Sequence, residues 1–234
     1  ETYYNYTIFL TGLTGILAMI PALYFYRRDK VRRIAGGLIP AQKKVPLSLL
    51  EIILLLLAGA GLAQYGNFLM AILQSFINSS AYQESMTRIT EGKSLLMMIF
   101  WMGIVAPAAE EMIFRWLIYL RLRDWMKLPV AAVISGVVFG IYHGNIVQGI
   151  YASILGTAFA WILEMSGNIY SSMLLHMGAN IWSLVITEYA LDLFSMKYGV
   201  QILILIYLIL LAGVVCCLTH FEKVYSVRKK KRMI

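Results

Sequence analysis

The chain has 234 residues, of which 60% are hydrophobic and 14% are charged, with a formal net charge of +8. A soluble domain is about half apolar and a quarter charged, so this composition argues against a water-soluble fold and against disorder. The 18 glycines have no three-residue period and only two cysteines occur, which excludes collagen and a disulfide scaffold. In so apolar a chain, basic residues indicate the side of a membrane rather than nucleic-acid binding.

Apolar runs long enough to cross a hydrocarbon core, about 20 residues, occur about seven times. We therefore predict an all-α fold, a polytopic transmembrane helical bundle that forms a single domain over residues 1–234. In chain order the predicted spans cover about residues 7–26, 46–73, 94–117, 129–143, 146–163, 169–186 and 200–218. A polar stretch from about residue 74 to 93 separates the second span from the third.

The positive-inside rule predicts which segments face the cytoplasm: those near residues 27–44, 119–127, 164–168 and 220–234. Seven spans then place the N-terminus outside and the C-terminus in the cytoplasm. Arginines follow the first apolar run and no small-residue cleavage site is evident, so this run is predicted to be an anchor rather than a signal peptide. The chain begins with Glu1, so we expect a few native residues to precede it.

Local patterns predict how three segments are held. Ser48 and Glu51 have the spacing of a capping box at the start of the second span. The basic tail, residues 228–232, is expected to lie on anionic lipid headgroups. Small residues recur every three or four positions in the fifth span and predict a close helix-packing face: Gly149, Ser153, Gly156 and Ala160.

Ionisable groups inside apolar spans are candidates for function, because burying a charge in the bilayer is costly. In the third span, Glu111 and Arg115 are four residues apart and can form an ion pair on one helix face, which we interpret mainly as structural. Glu110 projects about 100° away from Glu111 and is left for another task. The fourth span ends at His143, and the sixth carries His176 and Asn180 on one face.

These polar groups are spaced so that they can meet. Glu110 and His143 are 33 residues apart, as are His143 and His176, which is one span and one connection each time. A carboxylate beside imidazoles suits a general base for water or a metal-ligand set, and the amide of Asn180 suits oxyanion stabilisation. Because no serine or cysteine accompanies the histidines in a nucleophile motif, water activation fits better than covalent catalysis.

Three motifs in order carry a resemblance to a known family: Glu110-Glu111-x-x-x-Arg115, Phe139-x-x-x-His143 and His176-x-x-x-Asn180. They resemble the signature of the CPBP family, the CAAX proteases and bacteriocin-processing enzymes also called Abi. The resemblance covers about residues 94–190, which we predict to be the catalytic core. It implies an intramembrane endopeptidase similar to the Ras-converting CAAX prenyl endopeptidase.

The resemblance also implies a role for each matching residue. Glu110 is expected to activate water with assistance from His143, whereas His176 and Asn180 are expected to stabilise the oxyanion. The supporting residues implied are Glu111, Arg115 and Phe139. The family is commonly labelled a metalloprotease, so Zn²⁺ or another divalent metal held by Glu110, His143 and His176 stays open. Catalysis without a metal is favoured, since neither an HExxH pair nor a cysteine ligand set is present.

The expected partners are a peptide or protein substrate at the membrane and the lipid bilayer, with no nucleic acid and an undetermined oligomeric state. Short loops and small size favour a bacterial plasma-membrane protein. Peptide pheromone maturation, bacteriocin processing or self-immunity then fit better than prenyl-protein maturation. Two alternatives are a non-proteolytic immunity or regulatory protein, in which the polar cluster only joins helices, and a small proton-coupled transporter. The transporter is disfavoured because no inverted repeat is evident.

Overall fold

A computed structural model describes residues 2–39, 46–77 and 80–233, and in these ranges the chain forms helices and no strands. The predicted all-α fold is therefore confirmed. The helices are α1 (Thr2–Ala35), α2 (Leu49–Phe76), α3 (Ser80–Thr90), α4 (Leu95–Trp125), α5 (Leu128–Tyr142), α6 (Ile146–Ser166), α7 (Ile169–Ser195) and α8 (Gly199–Met233). Within the predicted polar stretch, α3 is a helix that the sequence analysis did not anticipate.

In the part of the chain that the structure describes, six helices are long and apolar enough to cross a membrane, namely α1, α2, α4, α6, α7 and α8. The chain is thus a multi-pass membrane protein. The remaining predicted span, the fourth in chain order, is α5, which has 15 residues and a length of about 22 Å, short of a hydrocarbon core of about 30 Å. The apolar sequence of this segment was read correctly, but its helix is too short to be counted as a full span.

Close contacts between glycines pair α5 with α6 in antiparallel orientation. A Cβ atom on Gly136 would collide with Thr157 and Ser153, and one on Gly140 would collide with Ser153 and Gly149. The small-residue face predicted on α6 is therefore confirmed. The two helices form a hairpin, so the chain leaves α6 at the same end of the bundle at which it entered α5. The direction of α7 is therefore the same whether or not α5 crosses the full width of the bilayer.

Side-chain caps set the beginnings of several helices. The predicted capping box is confirmed, since the Glu51 amide donates to Ser48 Oγ (3.3 Å) and the Ser48 amide donates to a Glu51 carboxylate oxygen (2.8 Å). Asn145 accepts hydrogen bonds from the first turn of α6. Asn168 does the same for α7, directly after Gly167 has ended α6 in a left-handed conformation (φ 67°).

Charged side chains link several helices at one end of the bundle. The contacts, measured between nitrogen and oxygen, are Arg33–Asp124 (2.9 Å), Arg121–Asp29 (2.6 Å), Arg123–Glu164 (3.1 Å) and His220–Glu51 (3.1 Å). They join the C-terminal parts of α1, α4, α6 and α8 to one another or to the first turn of α2. The described parts of the segments predicted to be cytoplasmic therefore lie at one end, while residues 40–44 and 234 lie outside the described residues. The side of the membrane that this end faces stays a prediction.

One helix, α4, departs from regular α geometry. Two π-helical segments, Ile99–Val105 and Met112–Tyr119, flank the six α-helical residues Ala106–Glu111. A π-helix hydrogen-bonds from residue i to residue i+5, and such segments often occur at functional sites. The two glutamates of the first motif lie at the end of the short α-helical stretch, so this irregular helix carries the polar residues of the third span.

Candidate active site

The predicted polar residues converge where α4, α5 and α7 meet, with α6 behind them. Helix α4 contributes Glu110, Glu111 and Arg115, the end of α5 contributes Phe139 and His143, and α7 contributes His176 and Asn180. The contacts below connect Glu110, Glu111, Arg115, Phe139, His143 and His176 to one another. Asn180 lies one turn farther along α7 and contacts α4 at a different level.

The Glu111–Arg115 ion pair predicted from the spacing is confirmed. Arg115 Nη1 lies 3.3 Å from Glu111 Oε1, and both side chains have no exposed surface. The guanidinium lies over the rings of Phe139 and Phe159, at 4.6 and 5.3 Å from their centroids. Cation–π attraction of this kind partly replaces the water that the buried charge has lost.

A glycine on α6 makes the room for this buried arginine. A Cβ atom added to Gly156 would lie 2.7 Å from Arg115 Nη2 and 2.9 Å from Phe139 Cδ1. Both distances are shorter than a van der Waals contact, so only glycine fits here without displacement. The small-residue face of α6 thus serves the ion pair as well as helix packing.

His176 bridges the two glutamates of α4. Its Nδ1 lies 3.2 Å from Glu111 Oε1, and its Nε2 lies 3.6 Å from Glu110 Oε2. An ionised carboxylate is only an acceptor, so Nδ1–H donates to Glu111. That bond and stacking on Phe159 (4.6 Å between centroids) fix the ring plane and direct Nε2 toward Glu110. Glu110, which does not share a helix face with Arg115, therefore faces Nε2 of the His176 imidazole.

His143 is held through its own helix. Its Nδ1 lies 2.9 Å from the Phe139 carbonyl oxygen, which accepts the Nδ1–H and leaves Nε2 as a hydrogen-bond acceptor in the neutral ring. Phe139 packs edge-on against both histidines, with centroid distances of 4.7 Å to His143 and 5.5 Å to His176. The aromatic residue of the second motif therefore contacts both imidazoles.

Asn180 is oriented by a backbone group. Its Nδ2 donates to the carbonyl oxygen of Met102 at 2.9 Å. A primary amide has two N–H donors, so one of them is left for a further acceptor. The oxyanion role that the resemblance implies for Asn180 would use this second N–H, and the roles of all seven motif residues stay predictions.

Several residues that build the site were not identified from the sequence. Phe159 stacks on His176, and Ser135 donates to the Phe114 carbonyl (3.0 Å) inside the second π segment of α4. A phenylalanine or serine in an apolar span carries no signal of such a role. Pro107 was the one available signal, because a proline inside a helix removes a hydrogen bond and marks an irregular segment.

A metal centre is not apparent from the geometry. Among residues 2–39, 46–77 and 80–233, no three His, Cys, Asp or Glu side chains are grouped so that they could hold a metal ion. Glu110, His143 and His176, the set left open by the resemblance, do not form such a group. Independence from a metal stays a prediction.

Comparison with known proteins places this cluster in a recognisable segment. Residues 92–182 match the family model of the Rce1-like type II CAAX prenyl endopeptidases. A curated Bacillus subtilis (strain 168) protein named "Putative membrane peptidase YdiL" is 29% identical over 89 residues, which are 38% of this chain and 36% of that relative. The chain thus matches about a third of the relative's length, and no solved structure matches significantly. The matched segment contains all seven motif residues, so the predicted resemblance to the CAAX-protease family is confirmed for the part of the chain that forms the polar cluster.

Proposed function

We propose that this protein is an intramembrane endopeptidase that hydrolyses a peptide bond of a membrane-associated peptide or protein with water activated by Glu110. The observation that carries the proposal is the placement of the Glu110 carboxylate 3.6 Å from His176, directly beside the fully buried Glu111–Arg115 pair. A carboxylate, two imidazoles and an amide on neighbouring helices constitute the groups that general-base hydrolysis requires. The Rce1-like segment and the relative's name support the same reaction class.

In the proposed reaction, Glu110 accepts a proton from water while His143 Nε2 accepts a hydrogen bond from the same water and orients it. The hydroxide attacks the carbonyl carbon of the scissile bond. The second N–H of Asn180, and His176 Nε2 when it is protonated, donate to the developing oxyanion. When the C–N bond breaks, Glu110 returns its proton to the leaving amine, so that water has been added across the peptide bond.

Glu111 and Arg115 act behind this site. Glu111 holds His176 by its Nδ1–H, in the same way that a carboxylate orients the histidine of a catalytic triad. Arg115 keeps Glu111 ionised by pairing with it in a region without solvent. Both are therefore positioning residues rather than catalytic residues. Their pairing, together with the aromatic rings beside Arg115, offsets the cost of burying both charges inside an apolar bundle.

The substrate is proposed to be a peptide or protein that reaches the site from the bilayer. Peptide pheromone or bacteriocin maturation is favoured over CAAX-type processing, because the curated relative is bacterial and bacteria have no prenylated CAAX proteins to process. No cofactor is invoked. The protein is expected to act in the plasma membrane, where six apolar helices embed it.

The test compares membrane peptidomes of cells that express wild-type protein or Glu110→Gln. The matched control is Glu188→Gln, which changes an exposed carboxylate on α7 in the same way. A precursor should accumulate and its product disappear in Glu110→Gln, with wild-type profiles in the control. Identical peptidomes in all three strains, with equal amounts of folded protein, would contradict the proposal and favour a non-proteolytic role.

A purified assay then separates the residues. With the peptide so identified, Glu110→Gln and His143→Ala should each lower kcat by at least about a hundredfold, as expected for general acid–base groups. Undiminished cleavage by both variants would refute the mechanism even if the protein is a protease.

A further inference from the structure

At the end of the first π segment of α4, the register of the backbone hydrogen bonds assigns the Met102 carbonyl to a residue that has no N–H. Along Ile99–Val105 the hydrogen bonds run from residue i to residue i+5, and the last of them joins the Ala106 amide to the Trp101 carbonyl. In this register the next carbonyl, that of Met102, would accept from residue 107. Residue 107 is a proline and has no N–H, so the π register supplies no donor to Met102, and the Ala106 amide already donates to Trp101.

The side chain of Asn180 supplies the missing donor. Its Nδ2 lies 2.9 Å from the Met102 carbonyl oxygen, although the two residues are 78 positions apart. The bond is part-buried within an apolar span, where a carbonyl without a partner is costly, which favours this bond over any arrangement that leaves Met102 unpaired. Because one amide proton is used, the plane of the amide and the direction of its second N–H are determined together.

The backbone around Asn180 is held by two close contacts between helices. A Cβ atom on Gly103, the residue after Met102, would lie 2.9 Å from Ile181 Cγ1. A Cβ atom on Gly178 of α7 would collide with the backbone of Leu56 in α2. Helix α7 is therefore fixed between α2 and α4 at the level of Asn180, close enough for its short side chain to reach the Met102 carbonyl.

We propose that Pro107 is a positioning residue for Asn180. By removing the backbone donor that would pair with Met102, Pro107 reserves that carbonyl for the amide of Asn180 and so aims the second N–H of the amide. The catalytic consequence rests on the proposed function, because it assumes that Asn180 donates to an oxyanion. The structural part, a coupling between Pro107 and Asn180, does not depend on any activity.

A double-mutant cycle on thermal unfolding of the full chain in detergent tests the coupling. Asn180→Ala should lower the Tm in the wild-type background, because Met102 loses its partner. In the Pro107→Ala background, the new amide at position 107 pairs with Met102, so Asn180→Ala should lower the Tm by less than half as much. The control background is Pro129→Ala, at the start of α5, where the loss should be as large as in wild type. An equal loss in all three backgrounds would overturn the proposal.

A second measurement keeps the proposal testable if Pro107→Ala does not fold. Protein labelled with ¹³C-carbonyl methionine and ¹⁵N glycine has two doubly labelled peptide bonds, at Met102–Gly103 and Met177–Gly178. The Met102 carbonyl resonance should shift in Asn180→Ala, because that carbonyl loses a hydrogen bond. An unchanged resonance would show that Asn180 does not hold this carbonyl and would overturn the proposal.

Activity separates this proposal from the proposed function. If the protein cleaves a peptide, Pro107→Ala should lower kcat about tenfold to a hundredfold with KM unchanged, and Asn180→Ala should add little further loss. Coupling in the unfolding cycle without any peptide cleavage would support the coupling between Pro107 and Asn180 and contradict the proposed protease function. Cleavage by the wild type without coupling would support the protease function and contradict the role of Pro107.

Discussion

The buried Glu111–Arg115 pair allows a quantitative prediction for Glu111→Leu. Both side chains are fully buried, so removing the carboxylate leaves the Arg115 guanidinium without a counter-charge in an apolar environment. Breaking a buried pair in this way costs about 3–5 kcal/mol. The same substitution removes the acceptor of His176 Nδ1, so we expect the free energy of unfolding to fall by at least the lower figure.

The double variant Glu111→Leu/Arg115→Met tests the reasoning behind that magnitude. Replacing both charges with apolar side chains is often neutral or stabilising, so the double variant should be at least about 2 kcal/mol more stable than Glu111→Leu alone. Equilibrium unfolding in mixed micelles, followed by tryptophan fluorescence, measures both values. A double variant that is less stable than the single variant would refute the idea that an unpaired buried charge causes the loss.

A second ion pair with the same spacing provides the control. Glu84 and Arg88 on α3 are also four residues apart and in contact, but their side chains are 63% and 53% exposed. Exposed pairs contribute about 0.2–1 kcal/mol, so Glu84→Gln should change the free energy of unfolding by less than about 1 kcal/mol. If both glutamate substitutions have the same small effect, burial is not the cause of the predicted difference.

Three further variants test the packing, the charged end and a cap. Gly156→Ala should lower the free energy of unfolding by about 1–3 kcal/mol, because the added Cβ atom displaces the Arg115 guanidinium, and the Tm should fall accordingly. An unchanged Tm would show that α6 shifts to accommodate the methyl group without loss of stability. Arg33→Gln should destabilise the protein by about 1–3 kcal/mol, because the Arg33 side chain is 6% exposed and bonds both carboxylate oxygens of Asp124; a loss below about 0.5 kcal/mol would contradict this. Asn145→Ala should cost about 1 kcal/mol and raise amide hydrogen exchange in the first turn of α6, whereas unaltered exchange would exclude the cap.

Local patterns were predictable because they depend on residues close in the chain. The capping box of α2 and the Glu111–Arg115 pair follow from spacings of three and four residues on a helix. The small-residue face of α6 also follows from helical periodicity. Apolar runs located the membrane helices, and the run predicted at 129–143 has the same 15 residues in length as α5, fewer than the about 20 that a full crossing needs.

The candidate site was predictable as a set of residues but not as an arrangement. The motifs identified which helices carry polar groups, whereas the π segments of α4 depend on carbonyls that are satisfied by other helices, by Asn180 at Met102 and by Ser135 at Phe114. Helical spacing predicted that the side chains of Glu110 and Glu111 project in directions about 100° apart. In the structure, the imidazole of His176 on α7 nevertheless contacts both carboxylates. The position of α7 relative to α4 decides this contact, and helix spacing contains no information about it.

By itself the sequence determined that lipid is the solvent of this protein, because its apolar runs must be buried in a bilayer, and that a few charges inside those runs need partners. Only the tertiary structure decided which partners they have: Arg115 between two aromatic rings, His176 between two glutamates, and Asn180 on the carbonyl that Pro107 leaves unpaired. The physical reason is that burial energy depends on composition along the chain. The direction of a hydrogen bond depends on how distant helices pack.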